Sequence, residues 1–321
     1  MSGPMIRAAR AEDQPDLTTL WATAFTPPLA PDQWLIDGDR LAHTLVAEDD
    51  RGVCGSIYGL PKRLREDDGG VADVHAIGSV AVAGRARGQG LARRLVAATL
   101  DAAGDAEWAL LFTGTPEVYR SSGFESFSMA RTLTGPWHDP ALRRVEGSVE
   151  GRVEGGVEGR AAGSVERETV GLGSFRSLRD VYERSRAGRV LLAPVRSDRD
   201  AAMAEVRMRG ATLYRRIEGS TVLGYLIAEH RGDLGVLLES AVIPDSGRVR
   251  DELLSAVAVD WARAGVTSCE LAVPALPEEE SALRAFAPRA VRQDDRTGMI
   301  RPLRRAARLD GIRHFTAGDY F

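Results

Sequence analysis

The stretch Val80–Leu95 reads VAVAGRARGQGLARRL and joins a short apolar run, a loop of glycine and arginine, and the start of a helix. Leu91, Leu95 and Thr99 lie four residues apart, which predicts one face of that helix. Backbone N–H groups in such a loop, together with the partial positive charge of the helix N-terminus, are typical of a site that binds phosphate. Glycine allows the backbone to come close to the ligand.

The spacing of the glycines decides which phosphate ligand is expected. A nucleoside-triphosphate loop needs GxxxxGK followed by Ser or Thr, which this loop does not contain. A dinucleotide loop needs GxGxxG, but Arg93 stands where the third glycine would follow Gly88 and Gly90. The remaining string, Arg85-x-x-Gly88-x-Gly90, resembles the acetyl-CoA loop of the GNAT N-acetyltransferase superfamily. The alternative is a solvated basic turn, in which Arg85 and Arg87 contact only water.

A second motif follows at the distance expected for this family. A buried strand is predicted over Trp108–Thr113. It is followed by Tyr119 and by Gly123-Phe124, which resembles the Tyr-x-x-x-Gly-Phe segment of the family. Two motifs in the right order favour the acetyltransferase interpretation, and the resemblance covers roughly residues 5–133.

The resemblance implies acetyl-CoA as the acyl-donor cosubstrate, without a metal. In the family the loop amides surround the pyrophosphate of CoA, and the preceding strand binds the pantetheine arm through its backbone. The cofactor-binding residues implied for this chain are Val80, Ala81, Val82, Arg85, Arg87, Gly88, Gln89, Gly90, Leu91 and Ala92.

Acetyl transfer to an amine needs a polarised thioester carbonyl and a proton for the leaving thiolate. The resemblance implies that Tyr119 donates this proton, whereas the alternative is a tyrosine that only packs. The backbone near Val80 is the candidate oxyanion donor, and Gly78 would permit the strand to distort there.

The general base has two candidates. His75 lies on the strand that leads to the loop and shares a face with Asp73, although both could be ordinary sheet residues. The chain also ends in HFTAGDYF, whose last residue is Phe321. The overall plan is similar to tandem acetyltransferases of the enhanced-intracellular-survival type, which modify aminoglycosides and in which the terminal carboxylate is the base. This chain is shorter and has no room for their C-terminal sterol-carrier-like domain, so the tail could instead only hold the domains together.

The length of 321 residues favours two domains. The predicted fold is α/β, a mixed sheet with helices on both faces, repeated in two tandem acetyltransferase-like domains. The predicted divisions are an acetyl-CoA-binding domain over 1–136, a flexible linker over 137–170, a degenerate acetyltransferase-like domain over 171–303 and a C-terminal tail over 304–321.

The linker and the second loop are the evidence for these divisions. Residues 145–168 read VEGSVEGRVEGGVEGRAAGSVERE, a four-residue repeat with too few apolar residues to form a core. In the second half, the loop before the predicted helix reads Pro244-Asp245-Ser-Gly and lacks the glycine pair. Because the carboxylate of Asp245 would repel pyrophosphate, we expect the second domain not to bind CoA.

Composition limits the class of partner. Lys plus Arg is 42 and Asp plus Glu is 46, so the net charge of −4 argues against a general nucleic-acid binder. Three arginines, Arg304, Arg305 and Arg308, form a basic cluster at the start of the predicted tail. With no apolar run of about 18 residues and no signal peptide, the expected location is the cytoplasm, without membrane binding.

The predicted activity is transfer of an acetyl group from acetyl-CoA to a primary amine of a small molecule. The only cysteines, Cys54 and Cys269, lie outside the motif region, so direct transfer in a ternary complex is expected. Acetylation of protein amines and a non-catalytic acyl-CoA-binding regulatory module are the alternatives. The sequence leaves homo-oligomerisation open.

Overall fold

A computed structural model of the chain describes residues 3–25, 39–137 and 165–320. The chain divides into two compact units. The first comprises the described residues up to Met129 together with Asp295–Asp310. The second comprises the described residues of Ala130–Asp294 together with Gly311–Tyr320.

The first unit is a mixed sheet with helices on both faces. Its sheet has the strand order β1-β2-β3-β4-β5-β14-β6. Neighbouring strands are antiparallel except β4 and β5, which are parallel. The elements are β1 (Met5–Ala8), α1 (Gln14–Ala24), β2 (Thr44–Asp49), β3 (Gly52–Arg65), β4 (Val71–Val82), α2 (Leu91–Asp101), β5 (Trp108–Phe112), the single turn α3 (Glu117–Arg120), β6 (Glu125–Ser126) and β14 (Gly298–Pro302).

Alternation along the strands explains why both faces of this sheet are covered. Val46 and its neighbour Ala47 are both buried, but they belong to different apolar clusters, because successive side chains of a strand point to opposite faces. The Val46 cluster contains Trp21 of α1, and the Ala47 cluster contains Leu91 and Leu95 of α2. One apolar face on each helix therefore packs against one face of the sheet.

The second unit repeats this plan. Its sheet has the order β8-β9-β10-β11-β12-β7-β13, with β11 and β12 as the parallel pair. The elements are β7 (Met129–Pro136), β8 (Val165–Thr169), α4 (Arg179–Arg186), α5 (Asp198–Arg207), β9 (Thr212–Glu218), β10 (Thr221–Arg231), β11 (Leu234–Val242), α6 (Gly247–Arg263), β12 (Ser268–Leu271), α7 (Pro277–Phe286) and β13 (Val291–Asp295). The predicted pair of tandem acetyltransferase-like domains is confirmed at the level of the fold.

Two strands belong to different sheets from those predicted. The strand near 124–133 was expected to complete the first domain, but Met129–Pro136 pairs with β12 in the second sheet. Gly298–Pro302, expected to close the second domain, pairs with β5 in the first sheet. Gly298 faces the ring of Phe127 so closely that a Cβ would overlap it. The periodicity of a strand predicts its extended conformation but not its partner, which is why these two assignments were wrong.

The predicted linker over 137–170 is also shorter in the structure at its C-terminal end. Residues 138–164 lie outside the described residues. The last four residues of the repeat belong to β8, which pairs with β9. Glu166 and Glu168 both contact Arg215 across the strands, at 3.2 and 3.1 Å, and Arg167 contacts Asp260 at 3.0 Å. Cross-strand charge pairing therefore compensates for the low apolar content of the repeat.

The predicted tail over 304–321 contributes to both units. Arg305 of the basic cluster donates to Glu66 and Glu107, and Arg308 lies 3.5 Å from Glu66, all within the first unit. Over Gly311–Tyr320 the tail belongs to the second unit, where Phe315 is fully buried. Carboxylates of the first unit thus neutralise much of this basic cluster.

A buried ionic cluster holds the tail in the second unit. Arg196 donates to Glu239 on β11 at 2.5 Å and to Asp319 of the tail at 2.7 Å, and all three side chains are at most 3% exposed. Burial raises the pKa of Asp319, but Arg196 and hydrogen bonds from Thr316 outweigh it, so the pKa lies below its usual range. Among the described residues, no helix is long and apolar enough to cross a lipid bilayer.

We predict that Asp319→Asn lowers the free energy of unfolding by about 3 kcal/mol, because it breaks a buried ion pair and leaves Arg196 under-compensated. The matched control is Asp198→Asn, since the side chain of Asp198 is 97% exposed although it pairs with Arg179 at 2.8 Å. That exposed pair is expected to contribute less than about 1 kcal/mol. Denaturant unfolding measures both, and equal losses would contradict the prediction.

Candidate active site

The loop between β4 and α2 is built on two left-handed glycines. After a short turn at Gly84–Ala86, Gly88 has φ +76 and Gly90 has φ +70. Only glycine adopts this conformation at low cost. A Cβ added at either position would meet no atom within 4 Å, so the space in front of the loop is open to a ligand.

The backbone amides between Gly88 and the first turn of α2 are available to a ligand. The first helical hydrogen bond runs from the Arg94 amide to the Gly90 carbonyl, at 3.1 Å. In the part of the chain that the structure describes, no protein group accepts a hydrogen bond from the amides of residues 88–93. Unpaired amides at the N-terminus of an eleven-residue helix, reinforced by its dipole, form a site for an anion.

A cleft of about 350 Å³ lies in front of these amides. Arg87 and Arg93 contribute positive charge to it, and Glu117 contributes one negative charge. Its walls consist of the loop, the first turn of α2 and one side of α3: Val82, Ala86, Arg87, Gly88, Gly90, Leu91, Ala92, Arg93, Glu117, Val118 and Ser121. Six predicted cofactor-binding residues are among them, namely Val82, Arg87, Gly88, Gly90, Leu91 and Ala92.

Three predicted cofactor-binding side chains have partners within the protein, and one of them, Arg87, donates through Nε to the Val82 carbonyl at 3.1 Å. Arg85 was expected to meet phosphate oxygens, but its guanidinium donates to both oxygens of Asp49, at 3.1 and 3.2 Å, and to the Val53 carbonyl. It therefore holds the turn between β2 and β3 against the loop. The side-chain amide of Gln89 donates to the Arg85 carbonyl at 3.3 Å and so stabilises the loop itself.

The distortion of β4 lies at Ser79 and not at the predicted Gly78. Gly78 pairs with Tyr58 and Ala81 pairs with Ser56, so two residues, Ser79 and Val80, face a single residue of β3. This is a β-bulge, and Ser79 has φ +50. A left-handed residue other than glycine needs support from its surroundings, and here hydrogen bonds hold both the side chain and the carbonyl of the serine.

Those hydrogen bonds come from residues that the sequence analysis missed. The Arg40 guanidinium donates to Ser79 Oγ at 2.5 Å, and Ser56 Oγ donates to the Ser79 carbonyl at 3.3 Å. Trp21 Nε1 in turn donates to Ser56 Oγ at 3.0 Å. No sequence signal identifies this cluster, because its members come from three separate elements and a connecting segment.

Tyr119 lies on α3 in the apolar cluster that also contains Leu91 of the cleft wall. Its ring packs edge-on against Phe124, with the ring centroids 6.3 Å apart. Its hydroxyl has no hydrogen-bond partner within the described residues. Burial raises the pKa of Tyr119 above its usual range, so the hydroxyl keeps its proton at neutral pH.

His75 is not brought to the cleft. It is 4% exposed, and its Nε2 lies 3.0 Å from Thr99 Oγ1 of α2, above Gly59, which leaves no room for a Cβ. Thr99 follows Gly90 by nine residues, which is about 13 Å along a helix axis. Burial and the nearby His43 lower the pKa of His75 to about 4, so the ring is neutral at physiological pH. These are the contacts of a packing residue, and they do not bring His75, the predicted base, to the cleft.

The other predicted base, the terminal carboxylate of Phe321, lies outside the described residues. Within them, no group of three or more His, Cys, Asp or Glu side chains could hold a metal ion.

Comparison with known proteins identifies a domain in the first part of the chain. Residues 5–127 match the sequence profile of the family described as "Acetyltransferase (GNAT) domain". A search of curated protein sequences gives no significant match.

Solved structures match nearly the whole chain in fold. A GCN5-related N-acetyltransferase from Anabaena variabilis ATCC 29413 is 18% identical, with a TM-score of 0.67 over 93% of this chain and 72% of its own. A probable N-acyltransferase from Enterococcus faecalis V583 is 13% identical, with a TM-score of 0.68 over 94% of this chain and 73% of its own. Eis1 from Mycobacterium abscessus is 15% identical, with a TM-score of 0.62 over 93% of this chain and 73% of its own. At such low sequence identities the similarity concerns the fold alone.

The profile match indicates an acyl-CoA-dependent N-acyltransferase. Residues 5–127 therefore form a GNAT acetyltransferase domain.

We predict that His75 makes stability, and not turnover, depend on pH. Its pKa is about 4 in the folded protein and about 6.5 when unfolded, so the unfolded chain binds more protons between these values. The free energy of unfolding should therefore fall as the pH drops from about 6.5 to 4, by about 3 kcal/mol from this group.

The control for this prediction is His75→Gln, which removes the titration. Denaturant unfolding at neutral pH and near pH 4.5 should show a smaller loss in the variant than in the unaltered protein. The pH–rate profile should be the same for both. Loss of an ionisation from that profile in the variant would restore His75 as the base.

Proposed function

We propose that the chain transfers an acetyl group from acetyl-CoA to a primary amine of a small molecule. The observation that carries this proposal is the set of unpaired amides at residues 88–93, which open onto a cleft rimmed by Arg87. Such a set suits the pyrophosphate of CoA, because several N–H donors and the helix dipole converge on one anion. Acetyl-CoA, when bound, supplies the thioester.

The free edge of β4 is the proposed binding surface for the pantetheine arm. β4 pairs with β5 only over Val74–Ile77, whereas β4 continues to Val82. Beyond Ile77 its backbone can bind an extended ligand as a further strand would. The Val80 amide, next to the bulge, is the proposed donor to the carbonyl oxygen as it gains negative charge.

Tyr119 is the proposed general acid. Its hydroxyl is protonated, has no partner among the described residues and adjoins the wall of the cleft through the Leu91 cluster. A tyrosine of raised pKa retains its proton until a thiolate of comparable basicity leaves.

The cysteines support direct transfer in a ternary complex. Cys54 is fully buried and Cys269 is 2% exposed. Burial raises the pKa of both thiols, to about 11 for Cys269. Neither thiol is therefore suited to carry an acyl group, since the thiolate is the nucleophile.

The acceptor is proposed from charge and from resemblance. A net charge of −4 is compatible with a cationic polyamine, and the tandem plan makes aminoglycoside-like amines the first class to screen. Acetylation of protein amines is the enzyme alternative, and a non-catalytic acyl-CoA-binding module is the other. Deprotonation of the amine by the Phe321 carboxylate stays a prediction.

We propose that the second unit does not bind CoA. Its corresponding loop places Asp245 at φ +64 directly before α6, and it lacks a glycine pair. A carboxylate at this helix N-terminus would occupy the place of the anion and repel a pyrophosphate.

We predict one acetyl-CoA site per chain by calorimetric titration. Gly88→Glu should weaken the affinity by about 100-fold, because it forces a side chain into a left-handed position and adds negative charge at the anion site. Gly104→Glu is the matched control, since Gly104 also has a positive φ (+59) and open space around it, beyond the far end of α2. Absence of binding by the unaltered protein would contradict the acetyltransferase proposal.

We predict that Tyr119→Phe lowers kcat by at least about 100-fold and changes the Kd for acetyl-CoA less than about twofold, because only the transferable proton is lost. Tyr214→Phe in the second unit is the control, as it removes a hydroxyl bonded to Asp260 at 2.9 Å. Thiol release with a reactive amine acceptor measures turnover. Unchanged turnover in Tyr119→Phe would remove the acid role.

A further inference from the structure

Ser79 is held in a conformation that a serine in a strand seldom adopts. Among the described residues, the other non-glycine residues with positive φ are Asp68, Leu192 and Asp245, and none of them lies within a strand. At Ser79 the left-handed backbone is unfavourable by itself, so neighbouring contacts must maintain it.

Two hydrogen bonds hold Ser79, one at its side chain and one at its backbone carbonyl. Its Oγ accepts a hydrogen bond from Arg40 at 2.5 Å, and its carbonyl accepts one from Ser56 Oγ at 3.3 Å. The side chain and the backbone of one residue are thus fixed separately, which determines the direction of the next amide, that of Val80.

Arg40 is itself rigidly placed. It is 4% exposed, and its guanidinium carbon lies 5.0 Å from the Trp21 ring centroid and 4.5 Å from that of Tyr58. A planar cation against two aromatic faces has little rotational freedom. The hydrogen bond to Ser79 therefore comes from a fixed donor.

The second unit has a comparable contact at the equivalent place, although no residue of β11 has a positive φ. The parallel pairing of the central strand ends at Ile77 in the first unit and at Leu237 in the second. Ser79 and Glu239 each follow two residues later, beside a register shift. Glu239 binds Arg196 through Nη1 and Nη2, at 2.9 and 2.5 Å.

Arg196 is also packed on aromatic rings, 3.8 Å from the Tyr182 centroid and 5.6 Å from that of Phe175. A buried guanidinium bound to a side chain two residues beyond the parallel pairing of the central strand is therefore a repeated feature of this chain. The units differ in the acceptor, which is a carboxylate in the second and a neutral hydroxyl in the first. A neutral acceptor keeps negative charge away from Val80, where a carbonyl oxygen would have to gain it.

The geometry points to Arg40 as a positioning residue: by holding the Ser79 hydroxyl, it fixes the bulge that directs the Val80 amide toward the reacting carbonyl. This inference rests on the proposed function. Donors in such sites act only when they are held to within a few tenths of an ångström, so a loosened bulge should slow the reaction more than it weakens binding.

The kinetic test uses Ser79→Gly, Arg40→Lys and the double variant. Glycine accepts the left-handed backbone but lacks the hydroxyl, and lysine keeps the charge but loses the planar donor. Each single variant should lower kcat about tenfold with the KM for acetyl-CoA changed less than about twofold. The double variant should lose no more than Ser79→Gly, because both changes break one contact.

Asp68→Gly is the matched control, since Asp68 has φ +52 in the exposed turn before β4. Turnover in this variant should be unchanged. An unchanged kcat in Ser79→Gly, or additive losses in the double variant, would overturn the positioning role.

Hydrogen exchange in the free protein tests the same inference without catalysis. Amides of residues 78–82 should exchange about tenfold faster in Ser79→Gly and Arg40→Lys, but not in Asp68→Gly. Unchanged exchange would overturn the role of Arg40. Faster exchange in a protein that fails to bind acetyl-CoA would instead retain the positioning role and reject the proposed function.

Discussion

In each unit the central strand runs parallel to its neighbour for four residues and then leaves it. In the first unit this pairing covers Val74–Ile77, and in the second it covers Leu234–Leu237. Backbone groups beyond that point need other partners, because unpaired amides and carbonyls are costly when buried. The bulge, the loop and the start of the following helix all lie beyond the last residue of this parallel pairing. The other strands and helices of each unit pack around the central strand and its parallel neighbour.

The two units differ in the chemistry of the residues that follow the parallel pairing of the central strand. In the first, Gly88 and Gly90 leave a series of amides open to a ligand, and Ser79 provides a neutral anchor at the bulge. In the second, Glu239 occupies the anchor position and joins Arg196 and Asp319 in a closed ionic cluster. Charges that are removed from water are stable only when they are paired, so the cluster stabilises the tail. One fold thus accommodates two different sets of contacts at the equivalent place.

Parts of the site could be predicted because they depend on local constraints. The spacing of the glycines predicts the backbone conformation of the loop, because only glycine tolerates a positive φ at low cost. Both loop glycines have a positive φ. The roles of His75 and Arg85 could not be predicted. His75 faces Thr99 and Arg85 faces Asp49, and both partners are distant in sequence. A residue type indicates what chemistry a side chain can do, but burial and neighbours decide whether it does so.

The sequence by itself determined the element order, the repeated α/β plan and the phosphate-type loop, because periodicity, turn residues and glycine positions act over short distances. Only the tertiary structure decided which sheet receives Met129–Pro136 and which receives Gly298–Pro302, because strand pairing depends on register and on the space beside each edge. It also decided that a serine and not a glycine carries the bulge of β4. That conformation depends on Arg40, which is 39 residues away in sequence and is brought near only by folding.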